Sequence, residues 1–379
     1  MTDVRGAAPR WVIVGNGENR RVGMFAEAAV TAGSAKPRVL EWRDVLRAGG
    51  HEFAADEIVR LDSPGENAEV DRVLRGVPDP TRVEGSARWY VRFLEAVRSL
   101  RGGIRLDDPD DIAVLFDKRL CHERLARAGV PVPPALTSGT AAPVHDWSDV
   151  RERMREAEMA RVFVKLAHGS SASGVLAIES TRSGRIRATT SVEITADGVL
   201  HNSLRIRRYT DEREVAAIVD RLAPDGLHAE RWIPKASQDN RSADLRVVVI
   251  AGRATHVVVR TSRAPMTNLH LGGTRGDVDA VRAAAGEQWA EAMAICERAA
   301  ACFPGTLCVG VDLLPVIGWR RFVVGEVNAF GDLLPRLTGL PDGPAAGLDT
   351  YTAQIRAARD RHPVASPAVS SRVMVGCAS

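Results

Sequence analysis

Short apolar runs alternate with helically spaced apolar residues through the first hundred positions of the chain. Runs at 11–15, 38–42 and 57–61 predict strands, and the stretches between them predict helices. This alternation is typical of a parallel sheet with helices packed on its faces. It predicts an N-terminal α/β domain over residues 1–105, with a doubly wound, Rossmann-like sheet and a boundary loop at 101–111. The predicted helices run through to 32, begin again at 44, and lie near 66–75 and 84–101.

The pattern changes after residue 112, where strands follow one another with fewer helices between them. A helix at 116–128 ends at Gly129 and leads into the stiff, proline-rich segment 130–134. We expect two α+β modules with mainly antiparallel pairing, over 112–225 and 226–360, followed by a tail at 361–379. The predicted strands are 162–166, 175–179, 187–194, 203–209, 227–233, 243–250, 255–260, 307–314 and 321–328, and the predicted helices are 147–158, 212–222 and 279–302.

Length and composition limit the class of protein. A chain of 379 residues is too long for one ordinary core, at about 150 residues per domain. Its 45% hydrophobic and 26% charged residues are ordinary for a globular chain. No apolar run reaches the ~18 residues that span a bilayer, and the N-terminus lacks the apolar centre of a signal peptide. We therefore expect a cytoplasmic protein without membrane contact.

Charge and cysteine content disfavour two further classes. A net charge of +3, with no basic stripe interleaved with aromatic residues, gives no support for a nucleic-acid partner. The five cysteines are scattered, without a C-x-x-C pair or a zinc-site spacing, which predicts reduced cysteines that mostly fill the core. The sequence does not determine the oligomeric state, and a homodimer is the expectation from base rates alone.

Lysine is scarce in this chain. Only four of the 51 basic residues are lysine, at positions Lys36, Lys118, Lys165 and Lys235. A chain that otherwise uses arginine keeps lysine where a compact, mobile charge serves better than a planar fork. Lys118 and Lys165 fall in the motifs below, although chance placement is the alternative explanation.

Lys165 ends an apolar strand and is followed by a loop of small residues. The loop contains Gly169, Ser170, Ser171 and Gly174. Small side chains let backbone N–H groups approach an anion, serine hydroxyls add donors, and the lysine supplies charge. The segment therefore predicts a phosphate cradle, although it is not a P-loop, because the lysine precedes the glycines. A plain hairpin turn is the alternative.

Two acids and an asparagine form a second candidate site. Glu326 and Asn328 are two apart in an apolar strand, so both side chains point to one face, and Asp312 ends the preceding strand. A hairpin across 315–319 would bring all three together. Carboxylate and amide oxygens suit Mg²⁺, which takes its remaining ligands from water and nucleotide phosphates. An exposed edge pair is the alternative for either acid alone.

A third feature is the sequence Asp244-Leu-Arg246, followed by Arg260. A hairpin turning at 251–253 would place Asp244 opposite Arg260 and leave Arg246 on the same face. The arginine pair would bind a phosphoryl oxygen or stabilise charge developing at a carboxylate. A surface salt bridge is the alternative.

The order of these motifs resembles that of the ATP-grasp superfamily over residues 116–355, most closely the amino-acid ligases that add glutamate to proteins or cofactors. The resemblance implies a Rossmann-like pre-ATP-grasp domain followed by a two-module ATP-grasp fold, with ATP and Mg²⁺ as cofactors. It implies that Lys118 and Lys165 contact the nucleotide phosphates, beneath a loop from Gly169 to Gly174 that closes over them. The hinge that holds adenine is matched by Glu230, Arg231, Trp232 and Ile233.

The resemblance also assigns the residues around the reacting centre. Asp244 and Asn268 belong to the Asp-x-Arg and Asn-Leu-His-x-Gly-Gly segments, so both are expected near the nucleotide. Arg260, with Arg246, and Lys165 are the expected catalytic residues. The expected magnesium ligands are Asp312, Glu326 and Asn328. The chain departs from the family pattern at Leu166, where proline is frequent, and at Ala172, where glycine is common.

A turn near the N-terminus looks like a dinucleotide site. Gly15 and Gly17 follow a strand, and Glu41 ends the next one, but Arg20 occupies the position of the third glycine. The helix cannot pack closely there, so we do not expect a nicotinamide cofactor. The turn either holds a substrate anion with Arg20 and Arg21 or binds nothing.

The sequence thus predicts a ligase that activates a carboxylate as an acyl phosphate and couples it to an amine, both of amino-acid or peptide type. Arginines at 20–21 and 205–208 favour an acidic substrate, although surface arginine is the alternative in so arginine-rich a chain. Two other functions remain open: a nucleotide-binding regulatory or scaffold protein without turnover, and a kinase that stops at phosphoryl transfer.

Overall fold

The computed structural model describes residues 10–170, 172–181, 183–331 and 335–362. Within those residues the strands form three separate sheets. The first sheet is parallel and the other two are antiparallel.

The first sheet has the strand order β2-β1-β3-β4. The inner strand β1 is buried on both faces, with Val12, Ile13 and Val14 inaccessible to solvent, as expected for a parallel strand covered by helices. This confirms the predicted N-terminal α/β architecture. The elements are β1 (Arg10–Gly15), α1 (Arg20–Thr31), β2 (Arg38–Glu41), α2 (Trp42–Ala48), β3 (His51–Leu61), α3 (Ala68–Arg75), α4 (Ser86–Ser99) and β4 (Leu100–Arg105).

The prediction of a loop beginning at 101 was wrong, because β4 occupies the positions up to Arg105. Gly102 and Gly103 hid this strand from the sequence pattern. Both have positive φ angles, +69° and +66°, at an irregularity in the pairing with β3. A Cβ atom on Gly102 would lie 2.4 Å from the carbonyl oxygen of Phe53, so the two strands need glycine to approach this closely.

The second sheet has the order β8-β7-β6-β5-β9, antiparallel throughout. A short helix that was not predicted, α5, comes before it and begins at Pro109, where the Asp108 side chain caps the first turn. The elements are α5 (Pro109–Leu115), α6 (Lys118–Arg127), α7 (Trp147–Glu156), β5 (Arg161–Leu166), β6 (Leu176–Ser180), β7 (Ile186–Ile194), β8 (Leu200–Tyr209), α8 (Glu212–Leu222) and β9 (Leu227–Arg231).

The third sheet has the order β13-β12-β11-β14-β15, with β10 also paired to β11. The single helix predicted at 279–302 is two helices, because Gly286 takes a φ of +53° and breaks it. The elements are β10 (Ser237–Gln238), β11 (Arg241–Ile250), β12 (Arg253–Ser262), β13 (Thr274–Arg275), α9 (Val278–Ala285), α10 (Gln288–Ala301), β14 (Cys308–Pro315), β15 (Phe322–Ala329) and α11 (Thr350–Arg361).

The last helix, α11, returns to the first sheet. Tyr351 and Ile355 share a buried cluster with Trp11 and Phe25, so α11 packs against α1. Where the chain divides into independent domains stays a prediction. None of the helices in the described residues is both long and apolar enough to span a bilayer.

The N-terminus of α4 is capped by Asp225, a residue that comes just before β9 of the second sheet. Its backbone N–H groups at Gly85 and Ala87 donate to the carboxylate of Asp225, at 2.6 and 3.0 Å. Asp225→Ala should lower the free energy of unfolding by about 1 kcal/mol, because it removes a helix cap. Urea denaturation measures this, with the exposed Glu156→Ala as the control. Equal losses in the two variants would contradict the capping role.

Candidate active site

A cleft of about 950 Å³, partly open to solvent, lies between the second and third sheets. Two predicted residues, Gly174 and Trp232, do not line it, and Ser171 lies outside the described residues. The other predicted site residues all line this cleft: Lys118, Lys165, Gly169, Ser170, Glu230, Arg231, Ile233, Asp244, Arg246, Arg260, Asn268, Asp312, Glu326 and Asn328.

Lys165 projects from β5 and forms an ion pair with Glu230 on the neighbouring strand β9. Its Nζ lies 2.5 Å from Oε1 of Glu230, and Oε2 of Glu230 lies 3.1 Å from Nε2 of His228. Burial acts to raise the pKa of Glu230, but the Lys165 charge and the His228 contact outweigh it and lower the pKa to about 2. Burial likewise opposes the charge on Lys165, yet Glu230 and Glu326 keep its pKa above the ordinary value. Both groups are therefore ionised at neutral pH.

Lys118 is the first residue of α6, which begins there because the Asp117 side chain caps it. The Nζ of Lys118 donates to the carbonyl oxygen of Gly169 at 2.7 Å and to Oε1 of Glu326 at 2.8 Å. Lys118 thus connects the small-residue loop of the second sheet to β15 of the third.

Two residues of the small-residue loop adopt left-handed backbone conformations. Ala172 has a φ of +59°, in the left-handed region that favours glycine, and its carbonyl oxygen accepts from the hydroxyl of Ser191. Gly174 has a φ of +67°, and a Cβ atom there would lie 2.6 Å from the Leu166 side chain. Gly174 therefore serves the packing of the loop. Trp232 packs against Phe163, with ring centroids 5.4 Å apart.

The acids of the third sheet meet as the sequence pattern predicted. Asp312 is directly opposite Glu326 across β14 and β15, which confirms the predicted hairpin. Asp312 accepts from Arg246 Nε at 2.6 Å and from Arg260 Nη2 at 2.9 Å. Burial acts to raise the pKa of Asp312, but the two arginines lower it to about 2.

The Asp-x-Arg hairpin is also confirmed. Asp244 lies opposite Arg260 across β11 and β12, and Arg260 Nε donates to its Oδ1 at 2.7 Å. Thr267 donates its hydroxyl to the other oxygen of Asp244. Arg260 therefore bridges Asp244 and Asp312, which ties three strands together at the floor of the cleft.

The donor set on β14 and β15 suits magnesium. The described residues contain no group of three or more His, Cys, Asp or Glu that could hold a metal ion alone. Asp312, Glu326 and Asn328 instead offer two carboxylates and one amide oxygen from adjacent strands. Mg²⁺ characteristically takes one or two carboxylates and completes its shell with water and phosphate oxygens. The residues present therefore fit a magnesium ion that arrives with a nucleotide.

Sequence reasoning gave no role to Lys235, which also lines the cleft. Its Nζ donates to Thr267 Oγ1 at 3.0 Å and lies 3.6 Å from Asp244 Oδ2. The scarcity of lysine was the available signal, because three of the four lysines line this one cleft while Lys36 is exposed.

The N-terminal turn is occupied by the protein's own side chains. The amide of Gly17 donates to both oxygens of Glu41, at 3.2 and 3.1 Å, and the Asn19 side chain caps α1. Arg21 pairs with Asp62 at 3.0 Å. Glu41 thus binds the turn itself, where a dinucleotide site would use it for ribose.

The described structure is similar to that of the D-cycloserine synthetase DcsG. The TM-score is 0.55 at 17% sequence identity, and the match covers 93% of this chain and 99% of that chain. The chain has the ATP-grasp fold. This confirms the predicted fold class, while the narrower likeness to glutamate-adding ligases stays a prediction.

Two further solved structures match at lower TM-scores. The ligase PsnB, complexed with a minimal precursor, Mg and ADP, matches at a TM-score of 0.49 and 17% identity over 92% of this chain and 98% of that chain. The macrocyclase MdnC from Microcystis aeruginosa MRC, bound with the precursor peptide MdnA, matches at 0.48 and 12% over 91% and 97%. No protein-family model matches the sequence, and no curated protein matches it.

The Lys165–Glu230 pair should make the free energy of unfolding depend on pH. The pKa of Glu230 is depressed to about 2, so its ionised form stabilises the fold fully above the unfolded-state pKa of about 4.3. That contribution is lost as the pH falls towards 2. The difference in free energy of unfolding between wild type and Glu230→Gln should therefore shrink from about pH 5 to about pH 2. Urea denaturation across this range measures it, and a constant difference would contradict the pairing.

Proposed function

We propose that this protein is an ATP- and magnesium-dependent ligase that couples a carboxylate to an amine and releases ADP and phosphate. The supporting observation is that Lys118, Lys165, Arg246 and Arg260 line one cleft together with a magnesium-type donor set, although they come from separate helices and strands. Electrostatic stabilisation by preorganised charges is the usual way in which proteins accelerate phosphoryl and acyl transfer. The ATP-grasp fold is compatible with this chemistry.

The first step is attack of a substrate carboxylate oxygen on the γ-phosphorus of ATP. A new O–P bond forms, the bond to the β-phosphate oxygen breaks, and ADP leaves with the electron pair. Lys118 and Lys165 hold the phosphates and neutralise charge as it moves to the leaving group. Magnesium held by Asp312, Glu326 and Asn328 would supply further neutralisation of the phosphate oxygens.

The second step consumes the acyl phosphate. The amine forms a C–N bond at the acyl carbon, the C–O bond to phosphate then breaks, and inorganic phosphate departs while the nitrogen loses a proton. Charge builds on the carbonyl oxygen during this attack. Arg260 and Arg246 are held side by side on Asp312, which positions fixed positive charge at the floor of the cleft to stabilise that oxygen.

The adenine site, the type of substrate and the oligomeric state are further parts of the proposal. Glu230, Arg231, Trp232 and Ile233 match the family hinge, and Arg231 and Ile233 line the cleft, which supports base binding at this side. We take amino-acid or peptide substrates from the sequence resemblance, together with a homodimer from base rates. A regulatory protein would bind nucleotide without turnover, and a kinase would release ADP and accumulate a phosphorylated carboxylate.

An ADP-release screen tests the function most economically. Purified protein with ATP and magnesium is offered pairs of amino acids and small carboxylates, and the product of each hit is identified by mass. The proposal expects ADP release that depends on both partners, with a product lighter than their sum by one water. ADP release with one partner alone, and a product heavier by a phosphate, would indicate the kinase.

Removing one proposed magnesium ligand should abolish most turnover. Glu326→Gln keeps the size of the side chain but removes the charge that faces both Lys118 and the metal site. We expect ADP release to fall by at least about a hundredfold, which corresponds to about 2.7 kcal/mol of transition-state stabilisation. The thermal midpoint serves as the check on folding. Wild-type turnover in a folded variant would remove this assignment.

Lysine and arginine should not be interchangeable beneath the small-residue loop. Lys165→Arg keeps the positive charge, but a longer planar group cannot occupy the place of a compact ammonium between Glu230 and the phosphates. We expect a loss of about tenfold or more in ADP release, or about 1.4 kcal/mol. Lys36→Arg is the matched control, because Lys36 is exposed and outside the cleft. Equal activity in the two variants would contradict the phosphate role.

A further inference from the structure

Lys235 is held in the cleft by its backbone as well as by its side chain. It lies between β9 and β10 and forms a bridge with Val316, beyond the end of β14. The flanking residues are also fixed, because Ala236 N donates to Pro315 O at 2.8 Å and Ile317 N donates to Pro234 O at 3.1 Å. The ammonium group is therefore positioned by the same hairpin that carries Asp312 and Glu326.

The side chain of Lys235 is only 7% exposed, yet it has hydrogen-bonding capacity to spare. One of its three N–H donors reaches Thr267 Oγ1 at 3.0 Å. Among the described residues its ion-pair partner is Asp244, whose nearer oxygen lies 3.6 Å away, beyond hydrogen-bonding distance. Burial lowers the pKa of Lys235, since desolvation disfavours its charged form and the attraction of Asp244 does not fully compensate. An anion entering the cleft would relieve this cost.

Lys235 does not belong to the group of residues assigned to the phosphates. Lys118 and Lys165 pair with Glu326 and Glu230. Lys235 has different partners, Thr267 and Asp244, and the cleft that it lines also has apolar lining at Pro265 and Met266. A compact ammonium in a cleft with both polar and apolar lining suits one oxygen of a small anion carried on an aliphatic stem.

We propose that Lys235, beside Thr267, binds a carboxylate group of the substrate at a subsite separate from the triphosphate. The assignment rests on the proposed ligase function and deepens it. The carboxylate belongs either to the acid that is activated or to an amino acid that supplies the amine. In both cases Lys235 binds the substrate directly and takes no part in bond making.

A binding experiment tests the subsite without any need for turnover. Protein saturated with MgAMPPNP is melted in the presence of acetate or of its neutral isostere acetamide, at matched ionic strength. We expect acetate, but not acetamide, to raise the thermal midpoint of wild type and of Lys36→Met. The rise should vanish in Lys235→Met and in Lys235→Gln, and the second variant guards against a folding defect of the first. An acetate shift that survives in both variants, or its absence from wild type, would overturn the proposal.

Calorimetric titration with MgAMPPNP separates this subsite from the phosphate site. Lys235→Met should bind MgAMPPNP within about twofold of wild type, whereas Lys165→Met should bind it about tenfold or more weakly. A tenfold loss in Lys235→Met would make Lys235 a phosphate ligand and overturn the proposal. For a substrate pair found by ADP release, Lys235→Met should raise KM for one partner at least about tenfold and leave KM for ATP unchanged.

The partner with the raised KM identifies the source of the carboxylate: either the activated acid or the amino acid that supplies the amine. A raised KM for ATP alone would contradict the subsite. An acetate shift that depends on Lys235, in a protein that releases no ADP with any pair, would instead count against the proposed function and leave the subsite standing.

Discussion

Burial of opposite charges between the second and third sheets is the constraint on which the rest of this structure depends. An ion moved from water into a protein costs several kcal/mol unless it is paired and hydrogen-bonded. Here Lys165 is paired with Glu230, and Arg246 and Arg260 share Asp312. A slip of one residue in β11 or β14 would turn these charges into the apolar core, so the register of the third sheet is strongly specified.

The same pairs prepare the cleft for anions. Cations that are already fixed by carboxylates need little rearrangement when a phosphate or carboxylate arrives, and fixed charge is worth more than charge that must reorganise. Lys118 extends this arrangement between sheets, because it contacts both the carbonyl of Gly169 and the carboxylate of Glu326. The small-residue loop is therefore linked to the strand that carries two of the proposed metal ligands.

Much of this arrangement was predictable because period-two patterns fix which side chains share a face of a strand. The opposition of Asp244 and Arg260 followed from spacing alone, and so did the hairpin that brings Asp312 together with Glu326 and Asn328. The strand β4 did not, because Gly102 and Gly103 carry no side-chain pattern, and neither did the break at Gly286. Lys235 was missed for another reason. Its role depends on a bridge to Val316, some eighty residues away, which no local pattern reports.

A crystal structure of the protein with MgAMPPNP tests most directly whether the charged cleft binds the nucleotide. We expect the triphosphate between Lys118 and Lys165, with electron density for magnesium beside Asp312, Glu326 and Asn328. A nucleotide bound elsewhere, or phosphates with no contact to either lysine, would contradict this assignment.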